Sequence, residues 1–176
     1  MSISPDALKL VLICVFSSLV MLAAVRDLAT YTIPNWISAA LALAFFPAAF
    51  LGGAHAQEIL LAAGIGVGML AVGIAMFVMK WMGGGDAKLM AAASLWLAWP
   101  GLMPFILYTG LAGGALALGL LAMRSAWVRP FAAAGPSWIG RLATPGGAAP
   151  YGVAIAIGAL AAFPQGLIMR AAHGGL

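Results

Sequence analysis

From Ala7 to Val25 the only charged side chain is Lys9, near the start of the run. A membrane-spanning helix needs about 20 mostly apolar residues, and this stretch supplies them. Five further apolar runs follow. They are Trp36 to Leu51, ending at Gly52-Gly53; Ile59 to Val78, between Glu58 and Lys80; Ala87 to Trp99, stopped by Pro100 and Gly101; Leu102 to Met123; and Tyr151 to Met169. With 65% hydrophobic and 7% charged residues in a chain of 176, there are too few charges to cover a water-exposed surface and more apolar side chains than a core absorbs. The expected fold is all-α: one membrane-embedded domain over residues 1–176 with about six transmembrane helices. A soluble globular domain, a disordered tail and nucleic-acid binding are excluded. The first run is read as a retained helix rather than a cleaved signal peptide, because Asp6 precedes Lys9 and Arg26-Asp27 follow the run directly.

The net charge of +4 belongs to loops, where it sets orientation. Six spans put both ends of the chain on one face. The opposite face then carries Arg26, Lys80, Lys88, Arg124, Arg129 and Arg141, against Lys9 and Arg170 on the terminal face. Cytoplasmic loops hold the Lys/Arg excess, so the termini are expected in the periplasm. Asp27 and Asp86 fall on the cytoplasmic side, Asp6 and Glu58 on the other.

The fourth run is short. Its residues from Ala87 to Trp99 rise only about 20 Å, against a hydrocarbon thickness of about 30 Å. With Trp99 at the outer interface, Asp86 lies below the cytoplasmic surface. It follows Gly83-Gly84-Gly85, which is poor helix. Irregular backbone at that depth must be buried in protein or line a water-filled cavity, so a polar cavity containing Asp86 is expected. The pairs Gly64/Gly68 and Gly110/Gly114 have helix-packing spacing and are read as contacts within the chain.

Carboxylates at membrane depth are costly and are functional candidates. The structural alternative is a set of juxtamembrane ion pairs: Asp27 with Arg26, and Asp86 with Lys88 or Lys80. Taken together, the two acids sit on one face at similar depth. Facing carboxylates share a proton, so that one takes a proton from water while the other polarises a carbonyl. That chemistry requires no metal, no cofactor and no nucleophilic side chain. It suits a chain with one Cys, Cys14 in an apolar run, and two His, His55 and His173, on the predicted outer side. A Cys-based zinc site and an internal disulfide are excluded by the single thiol.

Around these acids the sequence reads Arg26-Asp27-Leu28-Ala29-Thr30-Tyr31-Thr32-Ile33-Pro34-Asn35, then Gly83-Gly84-Gly85-Asp86-Ala87-Lys88, and later Pro150-Tyr151-Gly152. Over about residues 20–165 this set resembles the type IV prepilin peptidase family, the GxGD class of intramembrane aspartic proteases. The resemblance implies cleavage of the short, positively charged leader from prepilins or pseudopilins at the cytoplasmic face of the bacterial inner membrane. It implies Asp27 and Asp86 as the catalytic pair, with pilus assembly machinery as a further partner. Gly83 and Gly85 would allow close backbone approach. Lys88 would tune Asp86 or anchor at the interface, and Pro34 and Asn35 would shape the turn and cap the second helix. Longer family members carry an N-terminal domain with two Cys-x-x-Cys pairs linked to N-methylation. This chain resembles the short form found with Flp/Tad-type pili, and methyltransferase activity is not expected.

The loop from Arg124 to Ala149 holds Trp127, Phe131, Trp138 and Ile139 among three Arg. It is read first as a linker and second as an interfacial lid or docking surface. Two other functions compete with the protease. A small proton-coupled transporter would use the two Asp as relay groups, and inverted repeats, which would support it, are not visible. A structural subunit leaves the paired acids without a role.

Overall fold

The computed structural model describes residues 4–125, 127–128, 137–144, 147 and 149–174. All of the described secondary structure is helical. In chain order it comprises α1 (Pro5–Thr30), α2 (Asn35–Leu51), α3 (Ala56–Val78), α4 (Gly84–Arg124), α5 (Ser137–Leu142), α6 (Tyr151–Ala162), a 3-10 turn (Phe163–Gln165) and α7 (Leu167–Gly174). Among the described residues, four stretches are long and apolar enough to cross a membrane: Ala7–Thr30, Ala56–Val78, Gly84–Arg124 and Tyr151–Ala171, with the shorter apolar α2 beside them. The chain is a polytopic membrane protein.

The predicted fourth and fifth runs join in α4. The helix is interrupted at Ala98 and Trp99, whose backbone angles are non-helical. The break falls where Pro100 removes a backbone donor and its ring obstructs the preceding turn. A second departure lies at the start of α4. Gly83 is the N-cap, and Gly84 and Gly85 are already helical, so the irregular backbone expected across the three glycines lies before them, from Met79 to Gly83.

The first limb of α4 is the hub. It packs against α2 and α3, and α4 as a whole also makes an extensive contact with α6. In α1, Leu12, Phe16, Val20 and Ala23 are buried, a spacing of three to four residues that forms one stripe along the helix. Phe16 stacks on Phe163 with ring centroids 4.3 Å apart and lies 5.3 Å from Trp96. The buried Trp96 donates its indole N–H to the Leu41 carbonyl at 2.8 Å, tying α4 to α2.

Glycines set the closest helix approaches, though not those expected. A methyl group on Gly66 would lie 2.5 Å from Leu95 Cδ2, and one on Gly73 would lie 2.8 Å from Ala87 Cβ. These two bring α3 against α4, and Gly113 and Gly158 do the same between α4 and α6, against Tyr151 and Thr109. Gly64, Gly68, Gly110 and Gly114 face open space. Their spacing is right for packing, but they lie on the outward side of their helices.

Candidate active site

The buried stripe of α1 does not stop at Ala23. One turn further on it reaches Asp27, which is only 4% exposed. In α4, buried Met90, Ala93 and Leu97 mark the interior face, and Asp86, 8% exposed, lies one turn before Met90 on that same face. Both acids therefore point inward because helical periodicity puts them in line with apolar core positions. They line one cavity of about 750 Å³, together with Tyr31, Lys80, Trp81, Gly83 and Tyr151.

Close backbone approach builds the cavity. After Asp27, α1 ends at Tyr31, which adopts a left-handed conformation (φ 53°) and donates its N–H to the Asp27 carbonyl at 2.7 Å. The turn then delivers Ile33 between two helix starts. A methyl group on Gly85 would lie 3.0 Å from Ile33 Cβ and 3.2 Å from its carbonyl oxygen. One on Gly152 would lie 2.8 Å from Ile33 Cδ1 and 2.9 Å from Asp27 Oδ2. With no side chain in the way, the Gly152 N–H donates to Asp27 Oδ2 at 2.7 Å. Asp86 sits in the first turn of α4, where a carboxylate favours the positive end of the helix dipole. Its Oδ1 has no hydrogen-bond partner among the described residues.

The remaining sequence-selected residues divide into two groups. Gly83 and Gly85 stand at the aspartates; a methyl on Gly83 would come within 2.9 Å of Asp86 Oδ2. Lys88 does not bond to Asp86: its Nζ donates to Asn35 Oδ1 at 2.8 Å. Asn35 therefore spends its side chain on Lys88 rather than on capping α2, whose N-cap is Pro34 and has no side-chain cap. The bonds described for Asp27 and Asp86 include none to Arg26, Lys80 or Lys88 among the described residues, so the ion-pair explanation for the acids has no support there. His55 caps α3, where its N–H donates to Glu58 Oε2 at 2.8 Å, well separated in sequence from the cavity lining. No group of three or more His, Cys, Asp or Glu that could hold a metal occurs among the described residues. In the loop, Trp127 is exposed, Phe131 lies outside the described residues, and nothing is described of the Trp138 side chain.

A family model for the type IV leader peptidase family matches residues 14–118. The chain belongs to the type IV leader peptidase family. It is therefore a membrane-embedded peptidase, and both aspartates fall inside the matched stretch while Gly152 lies beyond it. No curated protein and no solved structure gives a significant match.

Sequence reasoning assigned no role at the site to Trp81, took Ile33 there only as part of the Ile-Pro-Asn run, and named Lys80 there only as a candidate ion-pair partner of Asp86. For Ile33 a signal was present, since it stands directly before Pro34-Asn35, but an aliphatic residue in a turn carries no chemistry that points to a site. Tyr151-Gly152 was recognised as part of a pattern; that its glycine supplies the Asp27 donor needed the structure.

Proposed function

We propose that this leader peptidase family member is an aspartic endopeptidase in which Asp27 and Asp86 act as one catalytic pair on prepilins or pseudopilins, Flp-type prepilins being the first to test. The observation that carries this is the burial of both carboxylates at one cavity in a peptidase. One Asp, ionised, takes a proton from a water molecule as its oxygen attacks the scissile carbonyl carbon. The other, protonated, donates a hydrogen bond to the developing oxyanion. The tetrahedral diol collapses, the C–N bond breaks, and the proton passes to the leaving amine. The protons belong to the pair rather than to either residue alone.

The loop charges support an orientation in the bacterial inner membrane with the cavity toward the cytoplasm and the termini in the periplasm. A positively charged leader would then meet the two acids from the side on which it is made. The family match favours this peptidase over the proton-coupled carrier.

The test is co-expression with a candidate prepilin. Leader removal is expected as a gel shift, lost in Asp27→Asn and in Asp86→Asn while both variants still insert in the membrane. Normal cleavage by either variant overturns the reading.

A further inference from the structure

A second cavity, of about 510 Å³, opens between α2, α3 and the first limb of α4. Its volume falls within the range of about 300–1,000 Å³ typical of small-molecule sites. It is not the aspartate cavity and shares none of that cavity's lining residues. Its walls are apolar, with Ala42, Phe46, Val67 and Leu95 among them. One end is polar and is formed by Asn35, Ser38 and Lys88. From Asn35 to Phe46 along α2 the cleft extends about 16 Å at 1.5 Å per residue.

Two features of the polar end call for a ligand with acceptor atoms. Ser38 is 5% exposed and its hydroxyl has no hydrogen-bond partner among the described residues. Burying a hydroxyl without a partner is costly. Lys88 presents three donors, of which the bond to Asn35 uses one. The site thus offers a cation at one end, with a buried orphan hydroxyl in the wall beside it, and a hydrocarbon lining along the rest. A transmembrane helix laid in the cleft would not answer the polar end, because its backbone groups are already satisfied internally. An anionic amphiphile answers both ends.

We propose that this cleft binds an anionic phospholipid, with the phosphate on Lys88 and Ser38 and one acyl chain along the wall of α2 and α3. The lysine of the Gly-x-Gly-Asp-x-Lys stretch then serves a lipid site next to the catalytic cavity rather than the aspartates. Anionic headgroups are attracted to basic residues at the membrane surface, and the apolar lining recovers the burial of the chain.

The full-length protein, purified in detergent, would be given phosphatidylglycerol or phosphatidylcholine of identical chains, and retained lipid counted by native mass spectrometry. The wild type is expected to keep one phosphatidylglycerol in clear preference to phosphatidylcholine. Lys88→Gln should lower that retention about fivefold, the effect of one surface charge on an anionic lipid, and Lys88→Arg should preserve it. Ala63→Phe, which fills the cleft from α3, should lower retention of either lipid. Circular dichroism checks folding; if Lys88→Gln does not fold, Ser38→Ala and Ala63→Phe carry the test. Equal retention of the two lipids, or unchanged retention in Ala63→Phe, overturns the proposal. So does release of the lipid by inorganic phosphate alone, which would mark a plain anion site. Capture of a prepilin's apolar segment in place of lipid, by a photo-crosslinker at Val67, overturns it too. None of these measurements uses leader cleavage, so the lipid site stands or falls apart from the catalytic reading.

Discussion

Gly152 donates its backbone N–H to Asp27 Oδ2 across 2.7 Å, a bond between residues 125 positions apart in the chain. It joins the end of α1 to the start of α6 and fixes one of the two acids at the cavity. A methyl group at position 152 would lie 2.9 Å from that same oxygen and 3.1 Å from Asp27 Cβ, closer than side chains normally pack.

Gly152→Ala is therefore expected to displace the Asp27 carboxylate. Displacements of about 1 Å at a catalytic group cost on the order of 100-fold in rate. Quantified leader cleavage should fall by that order while membrane insertion is unchanged. Adding Ile33→Val removes the Cδ1 atom, 2.8 Å from the new methyl, and should recover thermal stability without recovering cleavage, since the Asp27 clash remains.

Gly85→Ala meets Ile33 differently. The nearest atoms are Ile33 Cβ at 3.0 Å, its carbonyl oxygen at 3.2 Å and its nitrogen at 3.4 Å, so no trimming of the Ile33 side chain to Val relieves them. The substitution should lower stability by about 1–3 kcal/mol, the usual cost of overpacking. In detergent, the unfolding midpoint of Gly85→Ala/Ile33→Val should be no higher than that of Gly85→Ala.

Along α3, alanine substitutions separate the inward from the outward glycines. Gly73→Ala places a methyl 2.8 Å from Ala87 Cβ and 3.1 Å from its Cα, and should destabilise by about 1–3 kcal/mol. Gly64→Ala and Gly68→Ala meet nothing within 4 Å and should be neutral or stabilising by up to about 1 kcal/mol, the helix propensity of Ala over Gly. Thermal unfolding of the three variants in one detergent checks the order.

Arg124, the last residue of α4, donates to the Leu142 carbonyl and the Gly147 carbonyl, each at 3.0 Å. It thereby holds the segment that leads to Pro150 and Gly152. Arg124→Met should loosen that segment, seen as faster limited proteolysis between α5 and α6, and lower cleavage less than Gly152→Ala does.

Much of this was legible in the sequence. Long apolar runs placed the helices, and the scarcity of charge singled out Asp27 and Asp86, which burial on the core stripes of α1 and α4 brought to one cavity. Spacing failed where facing mattered. Gly64 and Gly68 have the same four-residue interval as any packing pair, but only Gly66 and Gly73 lie on the side that meets α4. Lys88 sits two residues from Asp86 on the same helix, and that short interval hid the fact that neighbours at such spacing point to different sides. Its partner, Asn35, is distant in sequence and could be found only in three dimensions.

Ile33 has no titratable, nucleophilic or hydrogen-bonding side-chain atom, and yet both glycine helix starts close down on it. An aliphatic shim belonging to the turn after α1 thus lies between the glycine that precedes Asp86 and the glycine that bonds Asp27. Change the thickness of that shim, or shift the turn that carries it, and the spacing of the carboxylates changes with no alteration to either of them. Under the proposed mechanism, the rate is then open to tuning by residues that take no part in the chemistry.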